Sequence, residues 1–261
     1  MQPAVKAEGV SKAYGSTIAL SSVWLEIQSG TIHGIIGPNG SGKTTLMRII
    51  ASLTERDGGS VTVHGVDPSL NPIEIKKTIG YVPENPALYQ SMTATEYLNF
   101  VGSIRGIGSF QHERLTAAFI KSLELEKFVD EPIGSLSFGS KQKVSIIAAL
   151  LHDPKVIILD EALKGVDPRS SRVIRDLLKA LSRNGKTVLF STHVIETVDT
   201  LCDQLSILYR GRIVDTGTAA ELIERNSKGG STLEDVFLNT TSDSPVGNIG
   251  NDLAGILGSG R

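Results

Sequence analysis

Gly37-Pro38-Asn39-Gly40-Ser41-Gly42-Lys43-Thr44 fits G-x-x-x-x-G-K-[ST] at every fixed position. Glycines at this spacing let the backbone curl until successive N–H groups point inward at an anion. Lys43 adds a mobile positive charge for the β- and γ-phosphates of a nucleotide, and the Thr44 hydroxyl suits Mg²⁺. The flanks agree with that reading. Residues 31–36 (TIHGII) predict a short buried strand, and residues 45–52 (TLMRIIAS), opening on Thr45, a helix that buries one face. Strand, glycine loop and helix together aim a helix N-terminus at phosphate.

A second strong signal lies further along, in Val156-Ile157-Ile158-Leu159-Asp160-Glu161. Four consecutive apolar residues predict a strand buried on both faces. Two carboxylates follow at its C-terminal end, where parallel sheets place their ligands. Neighbours on a strand point opposite ways, so the two acids are expected to do different work. Asp160 would hold Mg²⁺, directly or through water. Glu161 would face the γ-phosphate and orient or deprotonate an attacking water.

Outward from these motifs, strand and helix alternate. After the first helix, Asp57-Gly58-Gly59-Ser60 predicts a hairpin turn feeding a strand over 61–64. A short strand over 79–83 ends at Pro83. Residues 85–152 turn helical: Thr93-Ala94-Thr95-Glu96 fits a capping box, and further helices are expected over 110–123 and 140–151. Strands over 155–160, 187–191 and 204–209 then alternate with helices over 168–183 and 193–202, the rhythm of a parallel sheet covered by helices. Residues 1–30 predict a small β region, marked by the alternation Val23-Trp24-Leu25-Glu26-Ile27.

Composition sets the outer limits. The chain has 261 residues, 40% apolar and 21% charged, the balance of an ordinary globular protein. A net charge of −2 gives no electrostatic reason to expect nucleic acid as a partner. The single cysteine, Cys202, leaves no internal disulfide and fits a reducing cytosol. No apolar run approaches the ~18 residues needed to span a bilayer, and the N-terminus predicts no secretion signal. Work at a membrane would therefore need a partner to supply the spanning part.

With these motifs in order, the sequence resembles the ATP-binding subunits of ABC (ATP-binding cassette) transporters over about residues 5–240. The resemblance implies an α/β fold: a P-loop NTPase core with a mostly parallel sheet, a small antiparallel β subdomain and an inserted helical subdomain. The core would occupy about 1–84 and 153–217, the helical insert about 85–152 and C-terminal helices about 218–241. Residues 242–261, rich in Gly, Ser, Asn and Asp, are expected to be a disordered tail. It further implies an ATPase that uses ATP and Mg²⁺, with Lys43, Glu161 and His193 at the chemistry. Tyr14 would stack on adenine. Gly37, Pro38, Asn39, Gly40, Ser41, Gly42, Lys43, Thr44 and Thr45 would hold the phosphates, and Thr44, Asp160 and Glu84 the metal. Leu136-Ser137-Phe138-Gly139-Ser140 matches the family's signature segment, so Ser137 and Gly139 would touch the γ-phosphate of ATP held by a second subunit. Asp167 would reach across the same interface, and His193 would bond the γ-phosphate.

Two departures from the family pattern stand out. Glu84 occupies the place of a usual Gln, and its extra negative charge near phosphate is expected to weaken ATP binding. Phe138 and Ser140 replace the usual Gly and Gln of the signature. Ser231-Thr232-Leu233-Glu234-Asp235-Val236-Phe237-Leu238 resembles the C-terminal ending of exporter-type subunits that partner a separate permease. The implied partners are that multi-span permease and a second ATP-binding subunit, identical or paralogous, with no nucleic acid. The implied location is the cytoplasmic face of a membrane. A soluble switch in translation or DNA maintenance is the alternative. A single cassette and the lack of sustained heptads speak against it.

Overall fold

A computed structural model describes residues 3–192, 194–226 and 232–241. Three strands, β1 (Val5–Tyr14), β2 (Thr17–Ile27) and β4 (Gly58–Val63), form an antiparallel sheet in the order β2-β1-β4. The second sheet has six strands. β3 (Ile32–Ile36), β5 (Ile79–Val82), β6 (Val156–Asp160), β7 (Thr187–Ser191), β8 (Gln204–Tyr209) and β9 (Arg212–Gly217) lie in the order β5-β6-β7-β3-β8-β9. All its pairings are parallel except that of β8 with β9.

The alternation of side chains across the pleat explains why the central strands are apolar at nearly every position. Ile32, Ile36, Ile157, Leu159, Val188, Phe190, Leu205 and Ile207 face one core; Ile35, Val156, Ile158, Leu189 and Leu208 face the other. The first core is completed by α3 (Ala94–Ile104), α5 (Phe138–Leu150) and α6 (Pro168–Arg183), through Leu98, Val144, Ile147 and Ile174. The second is closed by α1 (Lys43–Ile50) and the antiparallel sheet, through Leu46, Ile49, Val10 and Val61. Both faces of the parallel sheet are therefore dry. A buried polar pair, His33 Nε2 and Ser206 Oγ at 2.9 Å, interrupts this pattern inside the sheet, while β3, β6 and β7 bring the 37–45 loop, Asp160 and Ser191 to one C-terminal edge.

Between β5 and β6 the chain passes through α3, α4 (Ser109–Ser122), a 3₁₀ turn (Ile133–Ser135) and α5. The capping box at Thr93 is present in full: Glu96 N–H donates to Thr93 Oγ1 at 3.1 Å, and Thr93 N–H to Glu96 Oε2 at 2.8 Å. Beyond β7 come α7 (Ile195–Leu201) and, after β9, α8 (Ala219–Asn226) and α9 (Leu233–Thr241). Among the described residues, no helix is long and apolar enough to cross a membrane.

Two local expectations are corrected. Gly58-Gly59 is not a hairpin turn but the opening of β4, which pairs with β1 instead of with what precedes it. Gly59 has φ +79°, and a Cβ there would lie 2.5 Å from the Glu8 carbonyl oxygen, so the pair marks a close strand approach. The helix expected from 140 begins two residues earlier, because Ser137 Oγ accepts the Ser140 N–H at 3.1 Å and caps it. Two elements escape sequence reading: β9, an edge strand of mixed polarity, and α2 (Pro72–Thr78), which buries only Ile75.

Candidate nucleotide site

The chain between Ile36 and Lys43 turns sharply from β3 into α1. Gly42 immediately precedes the helix with φ +109°, and a Cβ there would meet the Ala19 carbonyl oxygen at 2.5 Å. Lys43 folds back over this loop, donating to the Gly37 carbonyl at 2.7 Å and the Pro38 carbonyl at 3.2 Å. Its amine lies 4.0 Å from Glu161 Oε1. Burial pushes the Lys43 amine below its ordinary range, while Glu161, Asp160 and Glu84 oppose that shift. Ser41 Oγ is buried without a hydrogen-bond partner, a donor left over inside the loop.

Around the loop opens a cleft of about 750 Å³, within the range of small-molecule sites. Residues 37–45 form its floor, and Tyr14, Glu84 and Glu161 stand in its wall. Sequence reading therefore assembled most of this wall from three distant segments. Tyr14 is half exposed, with Lys12 Nζ 5.4 Å from its ring centroid. With Lys12 over one side of the ring, a planar ligand would stack on the remaining exposed surface.

Asp160 and Glu161 diverge, though not by the alternation of a strand. Asp160 ends β6 and is nearly fully buried behind the cleft. Its Oδ1 accepts from Ser191 Oγ at 2.8 Å and its Oδ2 from Tyr81 Oη at 3.4 Å. Glu161 leaves the strand at φ +49°, a conformation disfavoured for any non-glycine residue. Its N–H is shared between Ser191 Oγ at 3.1 Å and the Ser191 carbonyl at 3.2 Å. This turn is what swings its side chain into the cleft beside Lys43.

Ser137, Gly139 and Asp167 do not line this cleft. Ser137 caps α5 and also donates to Ser140 Oγ at 3.0 Å. Asp167 caps α6, accepting the Ser170 N–H at 2.8 Å, and pairs with Lys143 at 2.6 Å. Burial alone would raise the Asp167 carboxyl; bonds from Lys143 and Ser170 outweigh it and hold the group well below its ordinary range. Gly139 packs against the turn after Glu161: a Cβ there would lie 2.2 Å from the Gly165 carbonyl oxygen. Gly139→Ala is expected to cost about 1–3 kcal/mol, because backbone and not a flexible side chain must give way. The check is the thermal midpoint, expected to fall by several degrees. An unchanged midpoint would mean the turn retreats freely. His193 lies outside the described residues, as do Ser231 and residues 242–261.

Three contributors escaped sequence reading. Lys164 lines the cleft and pairs with Glu84 at 2.9 Å. Its sequence signal was a cation three residues past Glu161, inside the same turn. Residues 17–19 of β2 reach the cleft by sheet packing, and Phe237 of α9 enters it from the far end of the sequence. No local spacing announces either.

Comparison with known proteins bears on this cleft. A family model described as "ABC transporter" matches residues 20–164. The linearmycin resistance ATP-binding protein LnrL of Bacillus subtilis is 34% identical over 229 residues, 88% of this chain and 73% of that one. NatA, an ABC transporter ATP-binding protein of the same organism, is 37% identical over 207 residues, 79% and 84% of the two chains. The Nod factor export ATP-binding protein I of Mesorhizobium japonicum is 34% identical over 223 residues, 85% of this chain and 66% of that one. Among solved structures, an ATP-binding subunit of an ABC transporter superposes with TM-score 0.85 at 27% identity, covering 91% of this chain and 99% of that one. The dimeric cassette MJ0796, in a post-hydrolysis state bound to ADP and Pi, superposes with TM-score 0.74 at 29% identity over 82% of this chain and 98% of that one.

Proposed function

Since the chain belongs to the ABC transporter family, as an ATP-binding and ATP-hydrolysing subunit, we propose that it is the motor of an exporter and drives a separate membrane permease. The observation that carries the ATPase part of this reading is the cleft itself, lined by the 37–45 loop and Glu161, with Lys43 Nζ 4.0 Å from Glu161 Oε1. Lys43 and the loop N–H groups would hold the phosphates, with Ser41 Oγ a further donor, and Tyr14 would take the adenine face. Glu161 would orient and deprotonate the attacking water. His193 is proposed as its partner at the γ-phosphate.

The oxygen donors suit Mg²⁺, a hard cation. Thr44 lies in the cleft floor and Glu84 in its wall, with Asp160 buried behind the cleft. Among the described residues, no three acids or histidines gather closely enough to hold a metal alone. The ion would therefore rely on the nucleotide's phosphates and on water for its other ligands, as Mg²⁺ commonly does. When bound it would supply charge neutralisation at the β- and γ-oxygens.

Ser137, Gly139 and Asp167, held away from the cleft in their own chain, are proposed to meet the ATP of a second subunit. Two copies, or this chain and a paralogue, would close head-to-tail on two ATP molecules. A groove of about 790 Å³ between α2, β5, α3 and α5 is the proposed seat of the permease. Leu53, Ile73, Tyr97, Val101 and Ile104 give it an apolar lining, with Lys76, Lys77 and Arg105 among them. Export rather than import follows the C-terminal likeness and the resistance and export named for two relatives.

Mild-detergent capture of the tagged chain from its native cells tests this. A stoichiometric multi-span membrane protein is expected, lost on Ile73→Asp or Ile104→Asp. Ribosomal or DNA-associated partners without a membrane protein would overturn the transporter reading and favour the nucleotide-dependent switch.

A further inference from the structure

Glu84 and Lys164 are 80 residues apart in sequence yet bonded at 2.9 Å across the mouth of the cleft. Glu84 follows β5 by two residues. Lys164 closes the turn begun by Glu161, donating its backbone N–H to the Glu161 carbonyl at 3.1 Å. The pair thus bridges the segment leading into α3 and the segment carrying Glu161. Both side chains remain partly open to solvent, at 35% and 50% exposure, so neither is committed to the core.

Charge decides what the pair does. Three carboxylates, Asp160, Glu161 and Glu84, act electrostatically on Lys43, in a cleft whose ligand is itself a polyanion. Three acids against Lys43 alone would leave two net negative charges around the phosphates, and Lys164 reduces them to one. A neutral residue at 84 with no lysine at 164 would leave the same single negative charge. The acid and the lysine cancel.

We propose that Lys164 is a charge-balancing residue of the nucleotide site, matched to Glu84, and that it restores the affinity for ATP that Glu84 alone would remove. The proposal rests on the reading of the 37–45 cleft as a nucleotide site. Lys164 acts on bound phosphate through the local field, a positioning and not a catalytic role. One unbalanced negative charge beside a bound polyanion is worth about a factor of ten in affinity in a partly solvated site. It falls with salt, because the pair is open to counter-ions. It weighs more on ATP than on ADP, which carries one charge fewer.

The test is a double-mutant cycle read by calorimetric titration of ATP and of ADP, with and without Mg²⁺, so that turnover does not enter. Lys164→Ser is expected to weaken ATP binding about tenfold at low salt, ADP binding less, and to approach the native value at high salt. Glu84→Gln combined with Lys164→Ser is expected to return within about twofold of the native chain in the titration without Mg²⁺, where the proposed metal contact of Glu84 does not enter. Lys164→Ser within twofold of native would overturn the proposal. So would a double variant as weak as the single one, since the lysine would then act independently of Glu84. Lys43→Ala separates the two levels: native-like ATP binding by that variant would strike the nucleotide-site reading itself. Thermal midpoints close to native are expected for all variants at 84 and 164, both being at the cleft mouth.

Discussion

Glu161→Gln is expected to lower ATP hydrolysis by about a thousandfold while leaving ATP binding and ATP-dependent dimers in place. The substitution is nearly isosteric, and glutamine tolerates the left-handed backbone at φ +49° no worse than glutamate. The bonds from its N–H to Ser191 are made by the backbone and survive. What is lost is basicity, at a carboxylate that reaches 4.0 Å from Lys43. Phosphate release measures the chemistry, and size-exclusion chromatography with ATP measures the dimer. Undiminished hydrolysis would place the base elsewhere. A native chain with no basal hydrolysis would instead make this a binding-only regulator that senses ATP.

Lys43→Ala is expected to weaken ATP binding by at least about a hundredfold, since it would remove the proposed charge-assisted bonds to the phosphates from an amine that is itself nearly buried. The fold should bear this well. Lys43 is buried, and its bonds to Gly37 and Pro38 only partly offset the loss of hydration. A lysine whose amine is held below its ordinary 10.5 binds fewer protons folded than unfolded. Native stability should therefore rise with pH from the folded value up to 10.5, and the alanine variant should lack that rise. Denaturant unfolding between pH 8 and 10 is the check. Unchanged ATP binding would remove the central premise of the site.

The parts of the site legible in sequence are those whose chemistry depends on close spacing. The 37–45 loop needs its glycines, lysine and threonine within one turn, so its pattern is local. The capping box at Thr93 and the apolar run before Asp160 are local in the same sense. The divergence of Asp160 and Glu161 was foreseen with the wrong cause: a positive φ, invisible in the residue type, does what strand alternation was expected to do. Lys164 and Phe237 could not be placed without the fold. One acts through a partner 80 residues away, and the other arrives by helix packing. Gly58-Gly59 misled because a glycine pair serves equally for a tight turn and for two backbones in contact. β9 is an edge strand, and a half-exposed edge carries only a weak pattern.

The contact between Gly139 and the Gly165 carbonyl has a mechanical meaning. Side chains between two elements act as springs, because rotamers can absorb a small shift before passing it on. Here main chain rests on main chain, with room for nothing larger than hydrogen. The junction therefore has almost no play. A movement of the turn after Glu161 is handed to the start of α5 at nearly full amplitude, and Ser137 moves with it. If the proposed head-to-tail pairing holds, what happens to ATP in one cleft would reach the face turned to a neighbour's nucleotide as a push, undamped.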